Sequence, residues 1–146
     1  MKNESEACTI LKNSFIEQGH YLYKIPDPSS DFGNTIQRPF DLFGRYNDKA
    51  IYIECKFSNG LKSFNLDSIR EHQIEGLLEF SKVKNALCFI FLAVKGGRGD
   101  SRFYFWPIQE IFPRYQNKEN FKKRELETLP YYHVKKNLIL EDISVC

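Results

Sequence analysis

Asp41, Glu54 and Lys56 are the residues of this chain whose types and spacing can do chemistry together. Asp41 follows Pro39-Phe40, and Glu54-Cys55-Lys56 closes the β-rich run Ala50-Ile51-Tyr52-Ile53. Between them the polar group Asn47-Asp48-Lys49 makes a turn, so the two stretches read as a β-hairpin. Side chains two apart on a strand share a face, which puts Ile51 and Ile53 on one side and Tyr52, Glu54 and Lys56 on the other. If Asp41 on the neighbouring strand points to the same spot, two carboxylates and an amine converge. Two carboxylates hold a hard divalent cation such as Mg²⁺ through oxygen. Such an ion polarises a phosphodiester and acidifies a water. The lysine then orients or helps deprotonate that water, or neutralises charge in the transition state. The plain alternative is a surface ion pair, Asp41–Lys56 or Glu54–Lys56, since short motifs match by chance. The Pro-Phe-Asp lead and the partners below tilt the reading toward function.

The elements that must position these groups follow from periodicity. Glu4 to Gln18 has helical spacing, with Ala7, Ile10, Leu11, Ser14 and Phe15 on one face and Gly19 as its stop. Glu4 falls on the side of Ala7 and Leu11, while Glu6 is turned away by comparison. Either an acidic ligand or an ordinary first-turn acid, favoured by the helix dipole, accounts for these two glutamates. His20 to Ile25 alternates as a strand, and Pro26-Asp27-Pro28-Ser29-Ser30 breaks it. Ser29 to Gln37 is polar and reads as a loop, flanked by Lys24 and Arg38, either of which can meet phosphate. After the turn at Phe57-Ser58-Asn59-Gly60, a helix is expected over about 67–80, carrying His72 and Gln73. Gln73 can hydrogen-bond toward a metal-bound water or a phosphate, though a single glutamine means little by itself. Ala86 to Val94 is continuously apolar, as in a strand covered on both faces at the centre of a mixed sheet. Lys95 to Arg102 is a turn with Arg98 and Arg102, and Phe103-Tyr104-Phe105-Trp106 returns as the next strand. Pro107 starts a helix with Ile108, Ile111 and Phe112 on its buried side. From Arg114 to Lys136 basic residues cluster, among them Lys118, Lys122, Lys123, Arg124, Lys135 and Lys136, with Tyr115, Phe121, Tyr131 and Tyr132 interleaved. Such a region tracks a nucleic-acid backbone and offers stacking faces, or is simply a solvated surface softened by Glu119, Glu125 and Glu127. Leu138 to Leu140 reads as a last strand or a packing tail.

Composition bounds the answer. A chain of 146 residues suits one compact domain, taken as residues 1–146. Lys and Arg total 21 against 19 Asp and Glu, so any nucleic-acid binding must come from the distribution of charge rather than its sum. No apolar run is long enough to span a membrane, and the first residues lack the apolar segment of a secretion signal, so a cytoplasmic location is expected. Cys8, Cys55, Cys88 and Cys146 lie far apart without a Cys-x-x-Cys pair, which argues for reduced thiols and against a zinc site.

Pro-Phe-Asp41 followed by Glu54-Cys55-Lys56 on the next strand resembles the motif of the PD-(D/E)xK nuclease superfamily. Within it the chain is most similar to RecU-type Holliday junction resolvases. Tyr23-Lys24-Ile25-Pro26, Ser63-Phe64-Asn65-Leu66, His72-Gln73-Ile74-Glu75, the Cys88-Phe89-Ile90 strand and Phe103-Tyr104-Phe105-Trp106 carry the likeness in order, weakening after about Phe112. It implies an α/β fold with a restriction-endonuclease-like core, a mixed central sheet flanked by helices, and a homodimer. It implies Mg²⁺-dependent cleavage of DNA, with Mn²⁺ able to substitute. Asp41 and Glu54 would be metal ligands, Lys56 the catalytic lysine, and Gln73 an accessory residue. Glu4 best matches the acidic ligand of the first helix, with Glu6 as the alternative. RecU proteins carry a long excursion before the catalytic Asp, where this chain has only Pro26 to Gln37. That loop, the Gly96–Arg102 turn and the basic C-terminal part would then have to supply shape recognition. The substrate expected is branched DNA, a four-way junction foremost. Lys24, Arg38, Arg98, Arg102, Lys122, Lys123 and Arg124 are the expected DNA contacts. The rivals are a nuclease of the same chemistry on restriction or repair substrates, and a DNA-binding module without catalysis.

Overall fold

The structure is a computed structural model that describes residues 1–26, 38–98 and 100–133. The expected loop at Ser29–Gln37, the basic pair Lys135 and Lys136, and the apolar run Leu138–Leu140 lie outside the described residues. Chain order is α1 (Glu4–Glu17), β1 (Tyr21–Lys24), β2 (Leu42–Tyr46), β3 (Lys49–Ser58), a 3-10 turn (Leu66–Ser68), α2 (Glu71–Ser81), β4 (Leu87–Val94), β5 (Arg102–Pro107), α3 (Ile108–Gln116), α4 (Lys123–Thr128) and β6 (Tyr132–His133). The strands form one sheet in sequence order, β1-β2-β3-β4-β5-β6. Only β3 and β4 run parallel, joined by the crossover that carries α2; the other pairs are antiparallel. This is an α/β fold, a mixed sheet between helices.

Alternation decides which residues each helix covers. Along β4 the whole run is buried because odd and even positions enter different cores. Leu87, Phe89, Phe91 and Ala93 join Ala7, Leu11 and Phe15 of α1. Cys88, Ile90, Leu92 and Val94 join Ile74 and Leu77 of α2 and Ile108 and Ile111 of α3. Along β3, Ile51, Ile53 and Cys55 belong to the α1 side, so Tyr52, Glu54 and Lys56 face the α2 side.

Local signals explain the element ends. Asn3 caps α1 by accepting the Glu6 backbone N–H at 2.9 Å. Gly19, at φ 81°, lets the chain turn out of the helix. Tyr46 already pairs with Lys49, so the hairpin loop is only Asn47-Asp48, tighter than the three-residue turn expected; Asn47 takes the left-handed conformation that asparagine tolerates. The expected helix over 67–80 is two pieces. Asn65 Oδ1 caps the 3-10 turn at the Asp67 N–H, 2.8 Å away. Ile69 is then buried in extended backbone, and α2 starts afresh where the Gln73 side chain accepts the Arg70 N–H at 2.9 Å. At the other end of the fold β5 includes Pro107, and α3 begins one residue later. Ile108 and Ile111 are buried there, whereas Phe112 is only half-buried.

One close approach ties α2 to the site. A Cβ built on Gly76 would stand 2.6 Å from Pro39 Cβ and 2.8 Å from the Pro39 carbonyl. Gly76→Ala therefore forces α2 off the Pro-Phe-Asp segment, at a cost of about 1–3 kcal/mol typical of overpacking. Thermal or denaturant unfolding of the variant should show that loss. An unchanged midpoint would mean α2 does not press on Pro39.

Candidate metal centre

The hairpin register puts Asp41 at the mouth of β2, opposite the middle of β3. Its backbone N–H donates to the Ile53 carbonyl at 3.1 Å, and its Oδ2 accepts the Cys55 N–H at 2.9 Å. Those two bonds aim the carboxylate along the strand that carries Glu54. Glu54 points to the same place from the α2 side of β3, and Glu4 arrives from the first turn of α1. One carboxylate oxygen from each of Glu4, Asp41 and Glu54 can be chosen so that all lie within 4.8 Å of one another. Asp41 and Glu54 are buried, 5% and 1% exposed, so bulk water cannot screen them; Glu4 is the most open of the three.

Lys56 Nζ stands 3.4 Å from Glu54 Oε1. Gln73, in the first turn of α2, joins the two: its Nε2 donates to Glu54 Oε1 at 2.5 Å and its Oε1 accepts from Lys56 Nζ at 3.2 Å. The Lys56 contact fixes this amide orientation, because an ammonium cannot accept. The same Oε1 takes the Arg70 N–H, so Gln73 locks the helix start, the carboxylate and the lysine together. Arg38 adds a second tie, 3.5 Å from Asp41 Oδ1 and donating to the Ile25 carbonyl at 3.1 Å.

Charge is out of balance here. Burial, then the neighbouring Asp41, push the Glu54 carboxyl up from 4.5 to about 9, against the opposing pull of Lys56. Burial also raises Glu4; Lys56 opposes it and Asp41 adds to it, while Arg38 and Arg70 pull the other way. Glu54 Oε2 is buried with no hydrogen-bond partner. A proton on Glu54, or a cation, is what satisfies that oxygen. Three carboxylates with one orphaned oxygen make an all-oxygen donor set that fits a hard divalent ion.

The other expected residues are distributed as follows. Glu6 is turned from the centre: its Oε2 accepts the Lys2 N–H at 2.8 Å and lies 3.7 Å from the terminal amine. Lys24 is exposed and reaches Ser5 Oγ on α1 at 3.2 Å, beside the first turn that bears Glu4. Arg98 is exposed in the β4–β5 turn. Arg102 is engaged, 3.2 Å from Asp100 and 4.4 Å above the Tyr131 ring. Lys122, Lys123 and Arg124 are exposed at the start of α4, with Lys123 4.0 Å from Glu127. Arg114 of the same basic region is held by Glu125 at 2.9 Å and stacks 3.8 Å over Phe121, which makes it a structural cation. His72 joins none of these contacts. Sequence reasoning missed Arg70, exposed at the start of α2 and electrostatically coupled to Glu4. Its place one turn before Gln73, where a helix begins, was the available signal.

A family model for Recombination protein U, RecU, matches residues 35–144. The chain belongs to the RecU family. The Holliday junction resolvase RecU of Bacillus subtilis (strain 168) is 30% identical to it over 95 residues, 62% of this chain and 44% of the relative. The chain thus spans less than half the length of that RecU. Among solved structures it is similar to Archaeoglobus fulgidus Hjc, a Holliday junction resolvase from an archaeal hyperthermophile. That likeness has 18% identity over 73% of each chain and a TM-score of 0.45. The RecU match includes Asp41, Glu54, Lys56 and Gln73 but not Glu4, so the α1 carboxylate rests on geometry alone. No helix among the described residues is long and apolar enough to cross a membrane.

The raised Glu54 carboxyl makes a stability prediction for this RecU chain. Its folded value of about 9 exceeds the ordinary 4.5, so the folded chain keeps a proton the unfolded chain releases. That contribution is full below about pH 4.5 and is lost as pH rises toward 9. A cation replaces the proton, so Mg²⁺ or Mn²⁺ should raise the unfolding midpoint more at pH 9 than at pH 5. Glu54→Gln should flatten both the pH trend and the metal response in differential scanning fluorimetry. A metal response of equal size at all pH values would contradict this.

Proposed function

We propose that the chain is a metal-dependent, structure-selective DNA endonuclease that resolves four-way junctions by phosphodiester hydrolysis, working as a homodimer. The observation that carries this reading is the convergence of Glu4, Asp41 and Glu54 within 4.8 Å, with the Lys56 ammonium 3.4 Å from Glu54. RecU membership supports it, as does the name of the Bacillus relative.

Asp41 and Glu54 would hold Mg²⁺, or Mn²⁺ in its place, with Glu4 as the third acidic ligand. Such an ion, when bound, would supply charge neutralisation at the phosphodiester and a lowered pKa for the attacking water. Lys56, held at the edge of the carboxylates, orients that water and offsets charge that develops on the phosphate. Gln73 positions both Glu54 and Lys56 and has no bond-making part. Arg38 restrains Asp41 and, with Lys24, lies where a phosphate backbone passes the first turn of α1. The Pro26–Gln37 segment, the Gly96–Arg102 turn and the basic start of α4 supply shape recognition. A two-fold dimer presents two such sites to symmetric strands of a junction.

Purified protein should cut a synthetic four-way junction with Mg²⁺ and stop when EDTA is added. Asp41→Ala or Glu54→Ala should slow cleavage about 10²–10³-fold, since a metal supplies several kcal/mol of transition-state stabilisation. Full cleavage by either variant would refute the site. Gln73→Ala should lose about 10–100-fold in metal affinity or rate, as partners of metal ligands do, with Gln73→Glu failing to rescue because it brings another charge. A junction in competition with linear duplex separates this reading from a restriction- or repair-type nuclease; equal cutting would favour the latter.

A further inference from the structure

Asp41 belongs to a second cluster besides the three carboxylates. Cys8 of α1 and Cys55 of β3, 3% and 0% exposed, bring their sulfurs and an Asp41 carboxylate oxygen within 4.8 Å of one another. Both thiols are free. They come from opposite sides of a packed boundary: Cys8 is one turn beyond Glu4 on α1, and Cys55 lies between Glu54 and Lys56 but on the α1 side of the strand. Asp41 sits at the seam. Its Oδ2 is fastened to the Cys55 N–H at 2.9 Å, which holds its carboxylate beside that residue.

We propose that Cys8, Cys55 and Asp41 form a second cation site, selective for thiophilic divalent ions such as Zn²⁺ and Cd²⁺, which competes with the carboxylate site for Asp41. Ligand atoms around a tetrahedral zinc stand about 3.3–3.8 Å apart, given Zn–S near 2.3 Å and Zn–O near 2.0 Å. The three atoms here need close by little more than an ångström. Thiolate sulfur selects soft ions, whereas carboxylate oxygen alone suits Mg²⁺ and Mn²⁺. The neighbouring trio of Glu4, Asp41 and Glu54 is the hard site and this one the soft site. Binding is coordination without redox change: as each sulfur–metal bond forms, its thiol proton passes to solvent. With Asp41 drawn toward the sulfurs, the hard site keeps only Glu4 and Glu54. A thiophilic ion therefore suppresses Mg²⁺-supported cleavage. That consequence, unlike the binding itself, rests on the nuclease reading.

The test uses the reduced full chain, stripped of metal and titrated with Cd²⁺. Sulfur-to-cadmium charge-transfer absorption in the ultraviolet should saturate at one ion per chain and persist in excess Mg²⁺. Cys8→Ala should abolish it, while Cys88→Ser, which removes another buried thiol, should leave it intact. Alanine is well tolerated within a helix; a far-ultraviolet circular dichroism spectrum identifies a misfolded variant, in which case Cys55→Ala takes its place. In the cleavage assay, Zn²⁺ should suppress the wild type at least tenfold at equimolar ion. Cys8→Ala should keep its Mg²⁺-supported rate and resist Zn²⁺. Absorption that survives Cys8→Ala, or never appears, overturns the site. Absorption without inhibition overturns the competition for Asp41. A wild type that cuts no DNA yet shows the absorption overturns the nuclease reading and leaves the thiol site standing.

Discussion

Too much negative charge in too little water is the constraint on which this structure turns. Asp41 and Glu54 are buried side by side and Glu4 closes over them, with Lys56 as the nearest cation. Two like charges about 4 Å apart repel by roughly 4 kcal/mol at the effective dielectric of a protein surface. Lys56 and Arg38 do not offset the burial and mutual repulsion of the carboxylates, and the rise of Glu54 to about 9 is the mark of that imbalance. The orphaned Glu54 Oε2 says the same in hydrogen-bond terms. The cluster is a poor device for stability and a good one for collecting a cation.

The fold's task is to hold that arrangement against its own repulsion. Hydrophobic burial does most of the holding. Ile51 and Ile53 of β3 beneath α1, and Ile90 and Leu92 of the neighbouring β4 beneath α2, anchor the sheet on both faces and leave the polar residues of β3 no freedom to turn away. Specific bonds then set direction. The Ile53 and Cys55 backbone groups aim Asp41, Gln73 aims Glu54 and Lys56, and the capped first turn of α1 delivers Glu4. Gly76 lets α2 come close enough for Gln73 to reach. Each contact is modest, and each restrains a different member of the cluster.

Sequence legibility followed locality. Glu54 and Lys56 lie two apart on one strand, so alternation put them on one face, while the approach of Asp41 from the adjoining stretch stayed a condition that only its hydrogen bonds to Ile53 and Cys55 settle. The buried β4 strand was equally plain, because only a strand covered on both faces tolerates so unbroken an apolar run. The choice between Glu4 and Glu6 stayed open, since it depends on the rotation of α1 about its axis. Packing of Ala7, Leu11 and Phe15 and the Asn3 cap decide that rotation. The split of the expected 67–80 helix was hidden because Asn65 and Gln73 interrupt the backbone with side-chain caps, a competition that apolar spacing does not register. The meeting of Cys8 with Cys55 was invisible for the same reason: far-apart cysteines carry no spacing signal, and only the packing of α1 on β3 joins them.

The central claim is that the three carboxylates share one cation beside Lys56. Anomalous diffraction from a crystal soaked in Mn²⁺ tests it directly. A single strong peak is predicted about 2.0–2.3 Å from oxygens of Asp41 and Glu54, with Glu4 in or next to its coordination shell and the Lys56 ammonium outside it. Absence of a peak there at saturating Mn²⁺, or a peak bound only by surface carboxylates elsewhere, would contradict the account.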